Sequence, residues 1–228
     1  MPAYRFFLDD TFVTNTIYEI ASTERSHIKV MRLRPGDELE LVNGRGELAK
    51  GELQDRGRVK LLSITSQKQN RRVIICQAIP KINRIDLIVE KGTELGMTHL
   101  WLFPGKKSDK KQVDQSRLKR LETISISSMK QCGRLHLPKI EQKPPLKEWT
   151  SLPCTSYFGT LNERATIFKP SNNDICFFIG PEAGFSPDEE EQLQKLTATG
   201  VKLGPHILRT DTASLVALSL IQTQEALN

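Results

Sequence analysis

The chain has 228 residues, with 33 basic and 27 acidic side chains for a formal net charge of +6, and 38% hydrophobic against 26% charged residues. Its 14 glycines and 12 prolines are near ordinary usage, which excludes collagen-like and wholly disordered chains and suits one or two domains with cores of their own. No apolar run reaches the roughly 18 to 20 residues that a membrane-spanning helix requires, and the N-terminus turns acidic where a signal peptide is apolar, so a cytoplasmic protein is expected.

Up to about residue 70 the chain reads as short strands divided by turn chemistry. Strands are expected at Tyr4 to Leu8 and Thr16 to Ala21, then a short helix capped by Ser22 and ended by Pro35-Gly36-Asp37. Glu38 to Val42 alternates, Asn43-Gly44 signals a hairpin, Glu47 to Gln54 pairs back, and Val59 to Ile64 follows a turn at Asp55 to Gly57. This is a small β-barrel, taken as residues 1–70. The polar segment Ser66 to Arg72 marks the boundary, and a second domain runs over 73–228.

From Val73 onward strands become continuously apolar and alternate with helices, as buried parallel strands of an α/β sheet do. VIICQAI opens the series, and the next helix starts at Asn83, with Asp86 completing a capping box and Gly96 ending it. A strand over Thr98 to Phe103 leads into the basic loop GKKSDKKQ and a helix from about Asp114 to Gln131, on which Arg120, Ser127, Gln131 and Arg134 share a polar face. A Pro- and Lys-rich segment follows, without an assigned element. Strands are expected at Ser156 to Thr160, Ile175 to Ile179 and Val201 to Leu203. Ser186-Pro187-Asp188-Glu189 is a complete helix start, and a last helix reaches about Ala226. Charge is uneven: residues 1–70 carry +1, 71–150 carry +9 and 151–228 carry −4, so a polyanion partner competes with a solvated basic face.

Several familiar chemistries lack their residues. The GxGxxA fit at Gly44 to Ala49 lies in a hairpin without a following helix, there is no GxxxxGK[ST], and no serine sits in a GxSxG elbow. The four histidines form no HxxxH pair, and the four cysteines show no CxxC or Cys/His spacing. No metal site is therefore expected, and the cysteines read as reduced thiols. What remains is two loops after strand ends, Gly180-Pro-Glu-Ala-Gly184 and Leu203 to Ala213, where open α/β sheets place ligands. Glycines there let backbone amides and carbonyls reach an adenosyl group, with Leu203, Ile207 and Leu208 as apolar walls; ordinary tight turns are the rival reading.

These loops belong to a longer set of matching segments: Arg5-Phe6-Phe7, His27 to Arg32 with Gly36-Asp37, Lys81, Glu90 to Gly96, Gln131-Cys132-Gly133-Arg134, Ile179 to Ser186, Leu203-Gly204 and Ile207 to Thr210. Together they resemble the 16S rRNA (uracil(1498)-N(3))-methyltransferase family of the SPOUT superfamily, along nearly the whole chain. The resemblance implies a PUA-like β-barrel joined to an α/β domain with a deep trefoil knot, a homodimer, and S-adenosyl-L-methionine bound in the knot. It implies cofactor contacts at Phe158, Gly159, Ile179, Gly180, Glu182, Ala183, Gly184, Leu203, Gly204, Ile207, Leu208, Arg209, Thr212 and Ala213. The substrate it implies is 16S rRNA of the small ribosomal subunit, with Arg5, Arg32, Lys106, Lys107, Lys110, Lys111 and Arg120 as RNA-contact candidates. Ala183 stands where the family has glycine, Asp211 where it has glutamate, and His206 where it has a basic residue. The Ala183 methyl costs roughly 1 to 2 kcal/mol if that residue adopts a positive φ.

The implied reaction is attack of uridine N3 on an activated methyl. Arg134 or Arg209 could stabilise charge on the uracil oxygens, and Glu182 or Asp211, the carboxylates within the loops, could take the proton. Two alternatives remain: a SPOUT enzyme with another target, and an rRNA-binding assembly factor without activity.

Overall fold

The computed structural model describes residues 4–226, and the chain divides into two compact units. The first comprises Met1–Asn70 with Ile126–Leu137, the second Arg71–Ser125 with Pro138–Asn228.

In the first unit β1 (Arg5–Phe7), β2 (Ile17–Glu19), β3 (Glu38–Val42), β4 (Glu47–Leu53) and β5 (Arg58–Ser66) form a barrel-like sheet in the order β1-β3-β4-β5-β2. Strand β1 runs parallel to β3 and the other pairs are antiparallel. Phe6, Leu39, Leu41, Ala49, Leu53, Val59 and Leu61 point inward and are at most 3% exposed, with Ile28 of helix α1 (Ser22–Val30) packed on them. The alternation of apolar residues along β3 to β5 is what fixes this inward face. Helix α1 begins at Ser22 itself, with Ala21 in the cap position and no side-chain cap, so Ser22 does not cap it as expected.

The Asn43-Gly44 hairpin forms as its chemistry predicts. Asn43 Oδ1 accepts from the Arg45 backbone N–H at 2.9 Å, and Gly44 and Gly46 take φ of 72° and 99°. The Gly46 N–H donates to Leu135 O at 2.8 Å, and the Leu137 N–H donates to Gly44 O at 2.9 Å. This pairing binds residues 135–137 to the barrel unit, and a Cβ on Gly46 would stand 2.5 Å from His136 Nε2.

The second unit is a six-stranded, all-parallel sheet of β6 (Val73–Ala78), β7 (His99–Phe103), β8 (Lys139–Gln142), β9 (Thr155–Gly159), β10 (Ile175–Ile179) and β11 (Thr199–Val201), ordered β11-β9-β10-β6-β7-β8. Helices α2 (Ile82–Glu94), α3 (Gln115–Cys132), α4 (Pro187–Lys195) and α5 (Thr210–Ala226) complete the chain, α3 ending within the first unit. The two central strands, β6 and β10, are buried at every position, as apolar runs between two covered faces must be. Ile85, Ile88 and Val89 of α2 and Ala217, Leu218 and Ile221 of α5 seal one face. Phe103, Phe158, Phe178 and Leu193 pack on the other.

Two local expectations are corrected. Helix α2 starts one residue earlier than Asn83, with Lys81 in the cap position and no side-chain cap. Asp86 pairs instead with Arg117 at 2.6 Å and Arg120 at 3.1 Å, so the apparent capping box is an ion-pair centre. The Pro- and Lys-rich segment contains an edge strand, β8. It is held by the Lys139 N–H on Thr98 O and the Lys143 N–H on Leu102 O. The last strand is Thr199–Val201, shifted two residues toward the N-terminus.

Beyond the edge strand β11 the chain returns to the middle of the sheet, where α5 starts beside β6 and β10 through Thr210 and packs against α2. All four cysteines are free, and no helix among the described residues is long and apolar enough to cross a membrane.

Candidate active site

The two loops after β10 and β11 meet around one cavity of about 620 Å³ at the carboxyl ends of those strands, within the second unit. Its wall includes Gly159, Ile179, Gly180, Glu182, Ala183, Gly184, Leu203, Gly204, Ile207, Leu208 and Ala213. Phe158 lies beneath the wall, 1% exposed, while Arg209 and Thr212 face solvent outside it. Thr160, Glu163 and Glu190 also line the cavity, and these polar groups were not anticipated.

The loop after β10 is tight because Gly180 has no Cβ. A methyl there would stand 2.9 Å from the Phe185 backbone nitrogen, and the Gly184 N–H closes a turn on Pro181 O at 2.8 Å. Gly184 takes the left-handed conformation at φ 68°, whereas Ala183 is absent from the positive-φ residues, so its methyl carries no backbone strain. Glu182 Oε1 accepts the Lys81 backbone N–H at 2.9 Å, placing a carboxylate at the N-terminus of α2, where the helix dipole favours it.

Buried polar bonds lock the two loops together. The Thr210 hydroxyl donates to Gly180 O at 2.8 Å, Gln77 Nε2 donates to Thr210 Oγ1 at 2.8 Å, and the Ser214 hydroxyl donates to Gln77 Oε1 at 2.7 Å. Asp211, 3% exposed, is held by Arg84 at 2.7 Å.

The basic loop before α3 does more than present charge. Lys107 lines the cavity and its ammonium donates to Phe185 O at 2.9 Å and Ala183 O at 3.2 Å, tying down the glycine loop. The Lys111 ammonium donates to Gly105 O at 2.6 Å and Lys106 O at 3.0 Å. The Lys106 ammonium pairs with Asp188 at 2.6 Å, which raises its pKa and lowers that of Asp188. Lys110 is exposed and forms no ion pair among the described residues.

Other RNA-contact candidates have protein partners. Arg5 holds Glu40 through Nε at 3.0 Å and Nη2 at 2.7 Å, with the arginine side chain only 10% exposed. Arg120 pairs with Asp86. Arg32 is exposed, with φ 56°, just after α1. Arg134 belongs to the first unit, and burial lowers the pKa of its guanidinium.

Among known proteins, the RNA methyltransferase domain family matches residues 67–222, and the RNA methyltransferase PUA domain family matches residues 21–63. The chain belongs to the RNA methyltransferase domain family.

Its relatives within this methyltransferase family include the ribosomal RNA small subunit methyltransferase E of Buchnera aphidicola, 28% identical over 96% of this chain and 92% of that one. The protein of the same name from Bacillus subtilis is 29% identical over 92% and 91%. A crystal structure of the Neisseria gonorrhoeae ribosomal RNA small subunit methyltransferase E bound to S-adenosyl methionine matches with a TM-score of 0.82 and 26% identity, covering 98% of both chains. A probable rRNA methyltransferase from Porphyromonas gingivalis gives a TM-score of 0.84 at 26% identity. The resemblance read from the sequence, and the PUA-plus-SPOUT fold with it, holds for this methyltransferase along its length.

Sequence reasoning missed Gln77, Glu190 and the loop-holding role of Lys107. A single glutamine within the apolar run VIICQAI was the one visible signal for the first. Nothing in the local sequence distinguishes Lys107 from its neighbouring lysines.

Proposed function

We propose that this chain transfers the methyl group of S-adenosyl-L-methionine to N3 of a specific uridine in 16S rRNA of the small ribosomal subunit. The observation that carries the reading is the cavity built from two facing glycine loops, in a chain whose 26%-identical relative is solved with that cofactor over 98% of the same fold.

The residues present suit an adenosyl cofactor. A cavity of about 620 Å³ lies within the roughly 300 to 1,000 Å³ typical of small-molecule sites, and it combines apolar walls with a few convergent polar groups. Gly180 leaves backbone exposed where any side chain would collide, Leu203, Ile207 and Leu208 give apolar contact, and Glu190 beside Thr160 offers acceptors for hydroxyls. When bound, the cofactor supplies a methyl group activated on a sulfonium.

The protein must then orient uridine and help N3 lose its proton. N3 lies on the pairing edge, so the base is bound unpaired or flipped out. Of the two loop carboxylates, Glu182 is exposed in the cavity wall with Oε2 uncommitted, whereas Asp211 is buried against Arg84 and lies outside that wall. Glu182 is the proton acceptor in this reading. Arg209, exposed at the end of the second loop, supplies positive charge for the uracil oxygens. The barrel unit of residues 1–70 grips RNA through exposed basic groups such as Arg32, Lys110 adds a further phosphate contact, and the 73–228 domain holds the cofactor.

The enzyme works as a homodimer in the cytoplasm. Support for the dimer comes from Leu161 and Ile207, apolar side chains at the cavity that remain 68% and 78% exposed in the single chain. Sedimentation equilibrium should give twice the chain mass; a monomer at micromolar concentration contradicts this. The reaction itself is tested by incubating the protein with labelled S-adenosyl-L-methionine and unmodified small subunits. Digestion should release 3-methyluridine, and Glu182→Gln should lower kcat about 100-fold or more while leaving cofactor affinity near wild type. Another methylated nucleoside, or none, would overturn the assignment.

A further inference from the structure

Gln77 is fully buried in the centre of the sheet, on a strand whose other residues from Val73 to Ala78 are apolar. Its backbone already sits in register between Ile179 of β10 and Leu102 of β7, so the sheet itself has no use for the amide. Burying an amide in an apolar strand costs free energy unless its donors and acceptor are matched. Here they are. One amide N–H reaches Thr210 Oγ1 at 2.8 Å, Nε2 also lies 2.8 Å from Ala78 O and 3.4 Å from Gly180 O, and Oε1 accepts from the Ser214 hydroxyl at 2.7 Å. Thr210 passes its own hydrogen to Gly180 O, and Ser214 also lies 3.1 Å from Thr210 O.

The chain of bonds therefore runs from the sheet interior to both walls of the cavity. Gly180 begins the first glycine loop and Thr210 ends the second, and both line the cavity, whereas Gln77 does not. Loops without regular structure keep a fixed geometry only where a rigid element holds them, and a buried, fully matched network does so with mutual polarisation of its bonds.

We infer that Gln77 is a positioning residue for the cofactor: from the rigid centre of the sheet its amide fixes the Gly180 carbonyl and the Thr210 hydroxyl, and so sets the spacing of the two loops that grip S-adenosyl-L-methionine. The inference rests on the proposed cofactor site. It adds to that site a residue that touches no ligand yet determines affinity for one.

Gln77→Met tests it. Methionine has a similar volume and shape, and the Thr210 to Gly180 and Ser214 to Thr210 bonds remain possible without the amide, so the fold is kept. Titration calorimetry with S-adenosyl-L-methionine, RNA binding and thermal melting without ligand are compared with wild type. The expected result is a Kd for the cofactor raised about tenfold, equivalent to about 1.4 kcal/mol, with RNA affinity and the ligand-free melting temperature near wild type. A merely structural glutamine would lower the melting temperature and leave cofactor affinity of the folded protein unchanged. Unchanged affinity in folded Gln77→Met overturns the inference. Should Gln77→Met fail to fold, Ser214→Ala decides: it removes the hydroxyl that holds Gln77 Oε1 and introduces no buried charge, so weakened cofactor binding supports the inference and wild-type binding overturns it. Wild-type protein that binds no cofactor overturns the site reading itself, a result distinguishable from failure of the Gln77 inference alone.

Discussion

Lys107 and Lys110 stand three residues apart in one basic loop, yet their surroundings differ. The Lys107 ammonium is committed to two carbonyls of the glycine loop, while Lys110 faces solvent. Lys107→Ala should therefore weaken cofactor binding by about 3- to 10-fold, as expected for the loss of charge-assisted hydrogen bonds near the surface, with little change in RNA affinity. Lys110→Ala should do the reverse, lowering RNA affinity and its salt slope with the cofactor Kd unchanged. Calorimetry and salt-dependent RNA binding on both variants check the pair; cofactor loss in Lys110→Ala alone would contradict it. Asp211 gives a second contrast. Removing its partner with Arg84→Met leaves a buried carboxylate uncompensated, so denaturant unfolding should show about 2 to 4 kcal/mol of lost stability, and more than Asp211→Asn loses. Equal losses would show that the charge pair is not what matters there.

Among the elements, α4 and the joint between β6 and β10 carry clear energetic signatures. Ser186 Oγ accepts the Glu189 N–H at 3.3 Å, and Glu189 Oε2 accepts the Ser186 N–H at 2.8 Å. Glu189 Oε1 also accepts the Lys106 N–H at 2.8 Å, so the same carboxylate fastens the basic loop. Ser186→Ala should cost about 1 kcal/mol in urea unfolding. Glu189→Ala should cost more and also loosen residues 105–111 in hydrogen exchange, and protection unchanged in that loop would contradict the double role. At the start of β6, the Arg72 backbone N–H and guanidinium each reach Asp174 at 2.7 Å and hold its carboxyl below the usual range. A depressed carboxylate stabilises the fold above its unfolded pKa, and that contribution is lost as pH falls through the folded value, here below about pH 4. The pair is partly exposed and screened, so the effect is small, but Arg72→Met should flatten the acid side of the stability curve. An unchanged acid limb would contradict it. These elements also show what the sequence made legible. The α4 start was readable because every group of a capping box lies within four residues, and β6 and β10 because burial on two faces leaves an unbroken apolar run. Asn83 and Asp86 have capping-box spacing too, but Asp86 is claimed by Arg117 and Arg120, more than 30 residues away, which local spacing cannot reveal. Strand β8 lies at the sheet edge with no fully buried residue, so it carries no apolar signature.

For the whole molecule, the glycine loops were legible as turns, and the family resemblance assigned them a ligand. Their mutual spacing was not legible, because it depends on Gln77 meeting Thr210, 133 residues away. The middle third of the chain carries most of the positive charge, but part of it is consumed internally by Asp86, Asp188 and backbone carbonyls. RNA affinity should therefore fall with salt less steeply than one phosphate contact for each of Lys106, Lys107, Lys110 and Lys111 would require. In the proposed function, the cavity between the two loops is where methyl transfer to uridine N3 is carried out. Its most direct measurement is nucleoside mass spectrometry on small subunits lacking the modification, after incubation with S-adenosyl-L-methionine and either wild-type protein or Gly180→Ala, whose added methyl would meet the Phe185 backbone nitrogen. Wild type should give 3-methyluridine at a single site and a folded Gly180→Ala should lose it; full methylation by that variant, or none by wild type, would contradict the proposed function.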